Sequence, residues 1–283
     1  MSRIARNVVI TGGTSGIGKA CLDLFKQKGD NVIVLARKNL ENLPNFYKCD
    51  VANFDEVKEV FNQISNTYTG IDVLINNAGF GVSGAIELVG NEEAQGMFDV
   101  NINGVINCYK CALPYMKKGG SIINMSSVCG FFPLPFRGLY CASKSAVNML
   151  TYSMKMECKP FGVNVCCVCP GDVKTNFTKS RVKIFDTNER YGDRIKNATL
   201  KIDSHEDKRM PASKVAKVTY KLSCKKNPKP YVIVGAKYKL LKFAMRFLPL
   251  SLLLKFTNKF YGGLKPFEVS GVEEDKELNS KSK

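Results

Sequence analysis

The sequence predicts an α/β protein built on a doubly wound parallel sheet. Three observations lead there. Short β-branched runs such as VVIT, VIVL, VLIN and VCCV are apolar at consecutive positions, as strands covered by helices on both faces must be. Stretches of helical character separate these runs. The first run also passes through a glycine-rich turn directly into a helix.

In chain order, residues 7–11 read as a strand, 17–28 as a helix, 31–36 as a strand and 54–67 as a helix. A strand over 71–76, a long helix over 92–116 and a strand over 120–126 follow, then a helix over 140–159 and a strand over 163–169. The last strand is expected at 231–235. Residues 1–236 thus form one domain, and 237–267 read as a basic, amphipathic helical extension. On a helix there, Lys239, Lys242 and Arg246 share one face, while Leu240, Leu241, Ala244, Phe247 and Leu248 fill the opposite arc. Pro249 interrupts before residues 250–261. Such a segment closes over a substrate cleft or a partner subunit, or makes a peripheral membrane contact through 237–261. The charged tail, 268–283, is expected to be disordered.

The 283 residues carry 42 Lys plus Arg against 25 Asp plus Glu, a net charge of +17. Residues 1–173 hold 16 basic and 14 acidic groups, and 174–261 hold 22 and 6, so the excess belongs to one C-terminal stretch. No nucleic-acid partner is expected, because no recognition module or pattern of stacking aromatics accompanies those cations. A sensor or scaffold that binds NADP(H) and contacts nucleic acid or a membrane through the basic region is the alternative to an enzyme. Eleven cysteines, an odd number set in apolar runs, point to a reducing, cytoplasmic location. Cys108 and Cys111 form a CxxC without a second pair or a nearby histidine, and read as positions on an apolar helix, not zinc ligands. The single histidine, His205, lies in a polar run and reads as an exposed loop residue, which excludes a histidine-based hydrolase triad and a multi-histidine metal site. The N-terminus enters the first strand without the apolar segment of a signal peptide, and no uninterrupted apolar stretch of about 18 residues could span a bilayer.

The first strand ends in Thr11-Gly12-Gly13-Thr14-Ser15-Gly16-Ile17-Gly18. Glycines there permit a tight turn and close approach to a pyrophosphate, and the following helix N-terminus offers backbone amides to the anion. At the end of the second strand, where an acid would hold a ribose 2′-hydroxyl, the chain has Leu35-Ala36-Arg37-Lys38. Arg37, helped by Lys38, suits a 2′-phosphate, so NADP (NADPH) is expected and NAD is the lesser fit.

Three further stretches complete a pattern: Asn76-Asn77-Ala78-Gly79, Ser127 thirteen residues before Tyr140, and Tyr140-Cys141-Ala142-Ser143-Lys144. With the TGxxxGxG loop and Pro170-Gly171-Asp172-Val173-Lys174-Thr175, these resemble the short-chain dehydrogenase/reductase family over roughly residues 5–240. The resemblance implies a Rossmann fold with a substrate lid at about 176–211, a homodimer or homotetramer, and an NADP-dependent oxidoreductase acting on CH–OH groups. The stretch PLPFRGLYCASK is similar to the branch that includes 17β-hydroxysteroid and retinol dehydrogenases.

Tyr140 and Lys144, four apart, share one face of a helix, so the ammonium is expected to lower the phenol pKa towards the working pH and make Tyr140 a general acid/base. The resemblance implies that Tyr140 exchanges a proton with the substrate oxygen, that Ser127 hydrogen-bonds the same oxygen, and that Lys144 also binds the nicotinamide ribose. It matches Asn101 to an asparagine completing a proton relay, with Asn103 as a rival close in sequence. By the same matching Asp50 and Val51 meet the adenine, Asn77, Ala78 and Gly79 support the cofactor pocket, and Pro170, Gly171, Val173 and Thr175 border the nicotinamide. The aromatic run Phe131-Phe132-Pro133-Leu134-Pro135-Phe136 falls beside the reacting carbonyl in the family fold, which suggests a lipophilic substrate; packing of the loop or of a subunit interface is its other explanation.

Overall fold

In the computed structural model, residues 4–39, 42–178, 180–185, 189–203 and 209–262 are described. The chain alternates strand and helix from its first element: β1 (Asn7–Thr11), α1 (Gly16–Gln27), β2 (Asn31–Ala36), β3 (Phe46–Lys48), α2 (Phe54–Thr67) and β4 (Ile71–Asn76). Next come β5 (Val82–Ser83), α3 (Asn91–Phe98), α4 (Gly104–Ala112), β6 (Met116–Met125), α5 (Gly138–Glu157), β7 (Asn164–Pro170) and β8 (Val173–Lys174). The C-terminal part holds β9 (Val182–Lys183), α6 (Arg194–Asp203), β10 (Met210–Pro211), α7 (Ala212–Ser223), β11 (Tyr231–Val234), α8 (Ala236–Ala244) and α9 (Leu250–Thr257). His205 and the tail 268–283 lie outside the described residues.

The main sheet has seven strands in the order β11-β7-β6-β4-β1-β2-β3, and each neighbouring pair is parallel. Consecutive apolar residues are needed because successive side chains enter different cores. Val8 and Ile10 pack with Leu22 and Phe25 of α1 and Val215 of α7, whereas Val9 packs with Phe61 of α2, Cys108 of α4 and Val147 of α5. This is the expected doubly wound sheet. It has a topological switch at β1, flanked by β2 on one side and β4 on the other. Crevices open at the carboxyl ends of strands at such points.

Two differences from the sequence reading matter for the site. Residues 92–116 are not one regular helix: α3 and α4 are joined by a π-helical turn, Asp99–Asn103, and a 3-10 turn at Leu113–Tyr115 precedes β6, which starts at Met116 rather than 120. The π turn widens the helix where Asn101 points inward, and the buried Asn101 amide exchanges hydrogen bonds with the Phe80 backbone. The second difference is β3, a three-residue edge strand too short to show a period in sequence.

Candidate active site

The glycine turn after β1 is shaped by close contacts. Gly12 and Gly16 hold φ of 65° and 54°, in the left-handed region where glycine meets no Cβ penalty. A Cβ on Gly18 would lie 2.5 Å from Asn77 Nδ2, because that amide donates to the carbonyls of Thr11 and Gly12, each at 3.1 Å. Asn77 and Ala78 also donate their backbone N–H groups to Thr11 Oγ1 at 2.9 and 3.0 Å. Asn77 therefore fastens the β4 turn to the glycine turn. Ser15 is the N-cap of α1 and makes no side-chain cap hydrogen bond, so its side chain does not satisfy the first-turn amides.

The crevice is a cavity of about 740 Å³. Gly12, Thr14, Ser15, Gly16 and Ile17 line one part, Arg37, Lys38, Asp50 and Val51 line the rim beyond β2, and Asn77, Ala78 and Gly79 form the floor. Ser127, Tyr140, Lys144, Pro170, Gly171, Val173 and Thr175 line the remaining end. Gly18 is buried beneath the turn, packed against Gly12 rather than on the wall. Arg37 and Lys38 are exposed cations at the end of β2. A negatively charged, extended ligand with anionic groups at the glycine turn and at Arg37 fits this donor set.

Tyr140 and Lys144 lie on α5 and are both buried. Lys144 donates through Nζ to the Met125 carbonyl at 3.0 Å and sits 5.9 Å from the Tyr140 ring centroid. A Cβ on Gly79 would fall 2.8 Å from Asn101 Oδ1 and 3.6 Å from Lys144 Nζ, so these two groups converge on one point of the floor. Asn101 Nδ2 donates to the Phe80 carbonyl at 3.0 Å and to Ser143 Oγ at 3.1 Å. Its rival, Asn103, is exposed and donates to Asp99. Ser127 caps the short turn after β6, its hydroxyl accepting from Cys129 N at 3.1 Å.

The electrostatics correct one expectation. Within the chain's own groups the Tyr140 phenol is pushed up, not down: burial dominates, and Arg137 and hydrogen bonding by Ser127 only oppose it. Burial likewise lowers Lys144, to about 8. Both groups are shifted towards their neutral forms because both have left water, and Lys144 remains an ammonium at neutral pH.

The substrate end brings a second correction. Phe131 and Phe132 do not line the cavity; they pack with Val128, Cys167, Cys169 and Ile233, and Phe131 stacks near Tyr231 at 5.0 Å. Phe136 instead faces Tyr191 at 6.0 Å. The run is divided: Phe131 and Phe132 pack on β7 and β11, while Leu134 packs in the cluster around Tyr140. Phe80, Phe177 and Arg137 pack beside Tyr140, and Arg181 and Arg209 also line the cavity. Phe177 lies 5.7 Å from the Tyr140 ring, and the Arg137 guanidinium carbon lies 4.8 Å from it. None of these five was singled out from sequence. Arg137, three residues before Tyr140, had a positional signal; the others come from distant loops and had none.

Residues 6–184 match the family described as short chain dehydrogenase, and the chain belongs to this short-chain dehydrogenase/reductase family. It is 37% identical over 227 residues to the 3-ketodihydrosphingosine reductase of Bacteroides thetaiotaomicron, covering 78% of this chain and 84% of that one. It is 36% identical over 185 residues to the 3-oxoacyl-(acyl-carrier-protein) reductase FabG of Thermotoga maritima, covering 60% of this chain and 75% of that one. Among solved structures, the ligand-free aldohexose dehydrogenase of Thermoplasma acidophilum is similar with a TM-score of 0.69 at 28% identity, over 81% of this chain and 92% of that one. ElxO with NADP bound has the same TM-score, 0.69, at 27% identity, over 84% of this chain and all of that one. The fold is the family's Rossmann-like sheet, and family membership makes the chain an oxidoreductase acting on CH–OH groups.

Proposed function

We propose that this chain is an NADP(H)-dependent oxidoreductase that interconverts a hydroxyl and a ketone or aldehyde on a lipophilic small molecule of steroid, retinoid or fatty type. One observation carries the reading: Tyr140, Ser127 and Lys144 stand at one end of a single cavity whose other parts are the glycine turn and Arg37. When bound, NADPH supplies the hydride. Tyr140, kept protonated by burial, gives its proton to the carbonyl oxygen, and Ser127 hydrogen-bonds the same oxygen. Lys144 positions the ribose and, with Asn101, returns a proton towards Tyr140. Asp50 and Val51 border the adenine, and Arg37 with Lys38 holds the 2′-phosphate.

The lipophilic assignment is supported by Phe80 and Phe177 on the wall beside Tyr140 and by similarity to a relative named for a lipid ketone. The test follows oxidation of NADPH and, separately, NADH with steroid, retinoid, fatty and small polar carbonyls. Turnover with NADPH and an apolar carbonyl is expected. Replacing Ala36 with Asp and Arg37 with Ser should then move preference towards NADH, and an unchanged ratio would place the phosphate contact elsewhere. If neither cofactor binds in a titration, the enzymatic reading fails.

A further inference from the structure

The two helices after the last strand expose apolar surface that the described chain leaves uncovered. Residues 236–260 contain six cations (Lys237, Lys239, Lys242, Arg246, Lys255 and Lys259) and no aspartate or glutamate. Among them Leu240 is 71% exposed, Phe247 75%, and Leu250 63%, with Phe243, Phe256 and Phe260 also exposed. Large apolar side chains at such exposure, clustered and mixed with like charges, mark a contact surface. No helix among the described residues is long and apolar enough to cross a membrane, and α8 and α9 have 9 and 8 residues against the roughly 20 a bilayer needs.

We infer that α8 and α9 dock this protein in the plane of an anionic lipid bilayer. The chemistry selects that occupant over a second copy. An isologous contact between two such faces would bring Lys239, Lys242, Arg246, Lys255 and Lys259 against their copies, with no aspartate or glutamate in 236–260 to pair them. An anionic headgroup layer meets the cations while its acyl boundary takes Leu240, Phe247 and Leu250. The face is also tied to the cavity. Lys237 Nζ bonds Asp172 Oδ2 at 3.1 Å and the Tyr238 hydroxyl donates to the same oxygen, while Asp172 itself lines the cavity. At the other end of the extension, the turn at 258–262 packs on α6 of the lid region. Docking therefore brings the cavity edge to the lipid surface, where a lipophilic substrate partitions.

The experiment sediments the full chain with vesicles of phosphatidylcholine alone or of phosphatidylcholine and phosphatidylglycerol in equal parts, and its readout does not depend on catalysis. Binding to the anionic vesicles on the order of tenfold or more above the neutral ones is expected, and it should fall with added salt. The pair Leu240→Glu and Phe247→Glu should lose that binding about tenfold or more. Circular dichroism and the thermal midpoint should stay unchanged, because both side chains already face solvent. Lys239→Glu with Arg246→Glu provides an independent variant that leaves the apolar side chains in place and should lose the preference for anionic lipid. Absence of binding, equal binding to both vesicles, or retained binding in both variants overturns the inference. So does an oligomer that the Leu240→Glu and Phe247→Glu pair dissociates while vesicle binding persists.

Discussion

Tyr140 gains its chemistry from where its ring is held. Burial keeps the phenol protonated through neutral pH, so in the reductive direction it is a loaded acid, and in alcohol oxidation it must first ionise. Tyr140→Phe removes only the hydroxyl; turnover should fall about 10²- to 10⁴-fold while NADPH titration stays near wild type, and near-normal turnover would reject the acid/base role. Arg137 is the cation nearest the ring and opposes the upward push. In Arg137→Met the phenolate loses that support, so the rise of alcohol oxidation with pH should move to higher pH; a profile that stays in place would show that Arg137 does not act on Tyr140. Tyr140 and Lys144 were legible in sequence because a helix fixes their spacing, and Ser127 through the family pattern of which it is a part. The inward turn of Arg137 was not, since a lone arginine carries no pattern and its place depends on the loop that packs Phe131 away from the cavity.

The turn between β3 and α2 shows an element placing a binding surface. Asn53 caps α2, its Oδ1 accepting from Asp55 N at 3.0 Å and Glu56 N at 3.3 Å. Glu56 reaches back: Oε2 accepts from Asp50 N at 2.8 Å, and Oε1 from Asn53 Nδ2 at 3.2 Å. This reciprocal cap fixes Asp50 and Val51 at the cavity rim. Asn53→Ala should lower stability by about 1 kcal/mol in urea unfolding and weaken NADPH binding several-fold; loss of stability with unchanged binding would separate the cap from the rim. Six of the seven strands of the main sheet were readable as apolar runs, because burial on both faces imposes them, whereas β3, the two-residue strands and helices α6 and α7 were not. The π turn at Asp99–Asn103 was not, since its extra residue is fixed by Asn101 bonding to the Phe80 backbone, 21 positions away in sequence.

At the scale of the whole molecule the site weakens the fold that carries it. Lys144 is buried in the cavity wall, its Nζ donating to the Met125 carbonyl, a poor exchange for the full solvation that water would give the charge. Its pKa falls from the ordinary 10.5 to about 8 for that reason. Below about pH 8 the amine is protonated in both the folded and unfolded chain, and the cost of holding the charge away from water is fully present. Between about 8 and 10.5 the unfolded chain binds the extra proton, so the contribution of this group to stability improves as pH rises, by about 1.4 kcal/mol for each pH unit crossed. Lys144→Met has no proton to lose there. Its urea midpoint relative to wild type should therefore be most favourable at neutral pH and lose ground in the alkaline window. An unchanged gap between the two across that window would mean that the ammonium is not destabilised by burial, and the reading of Lys144 as a strained group held in place for chemistry would have to be given up.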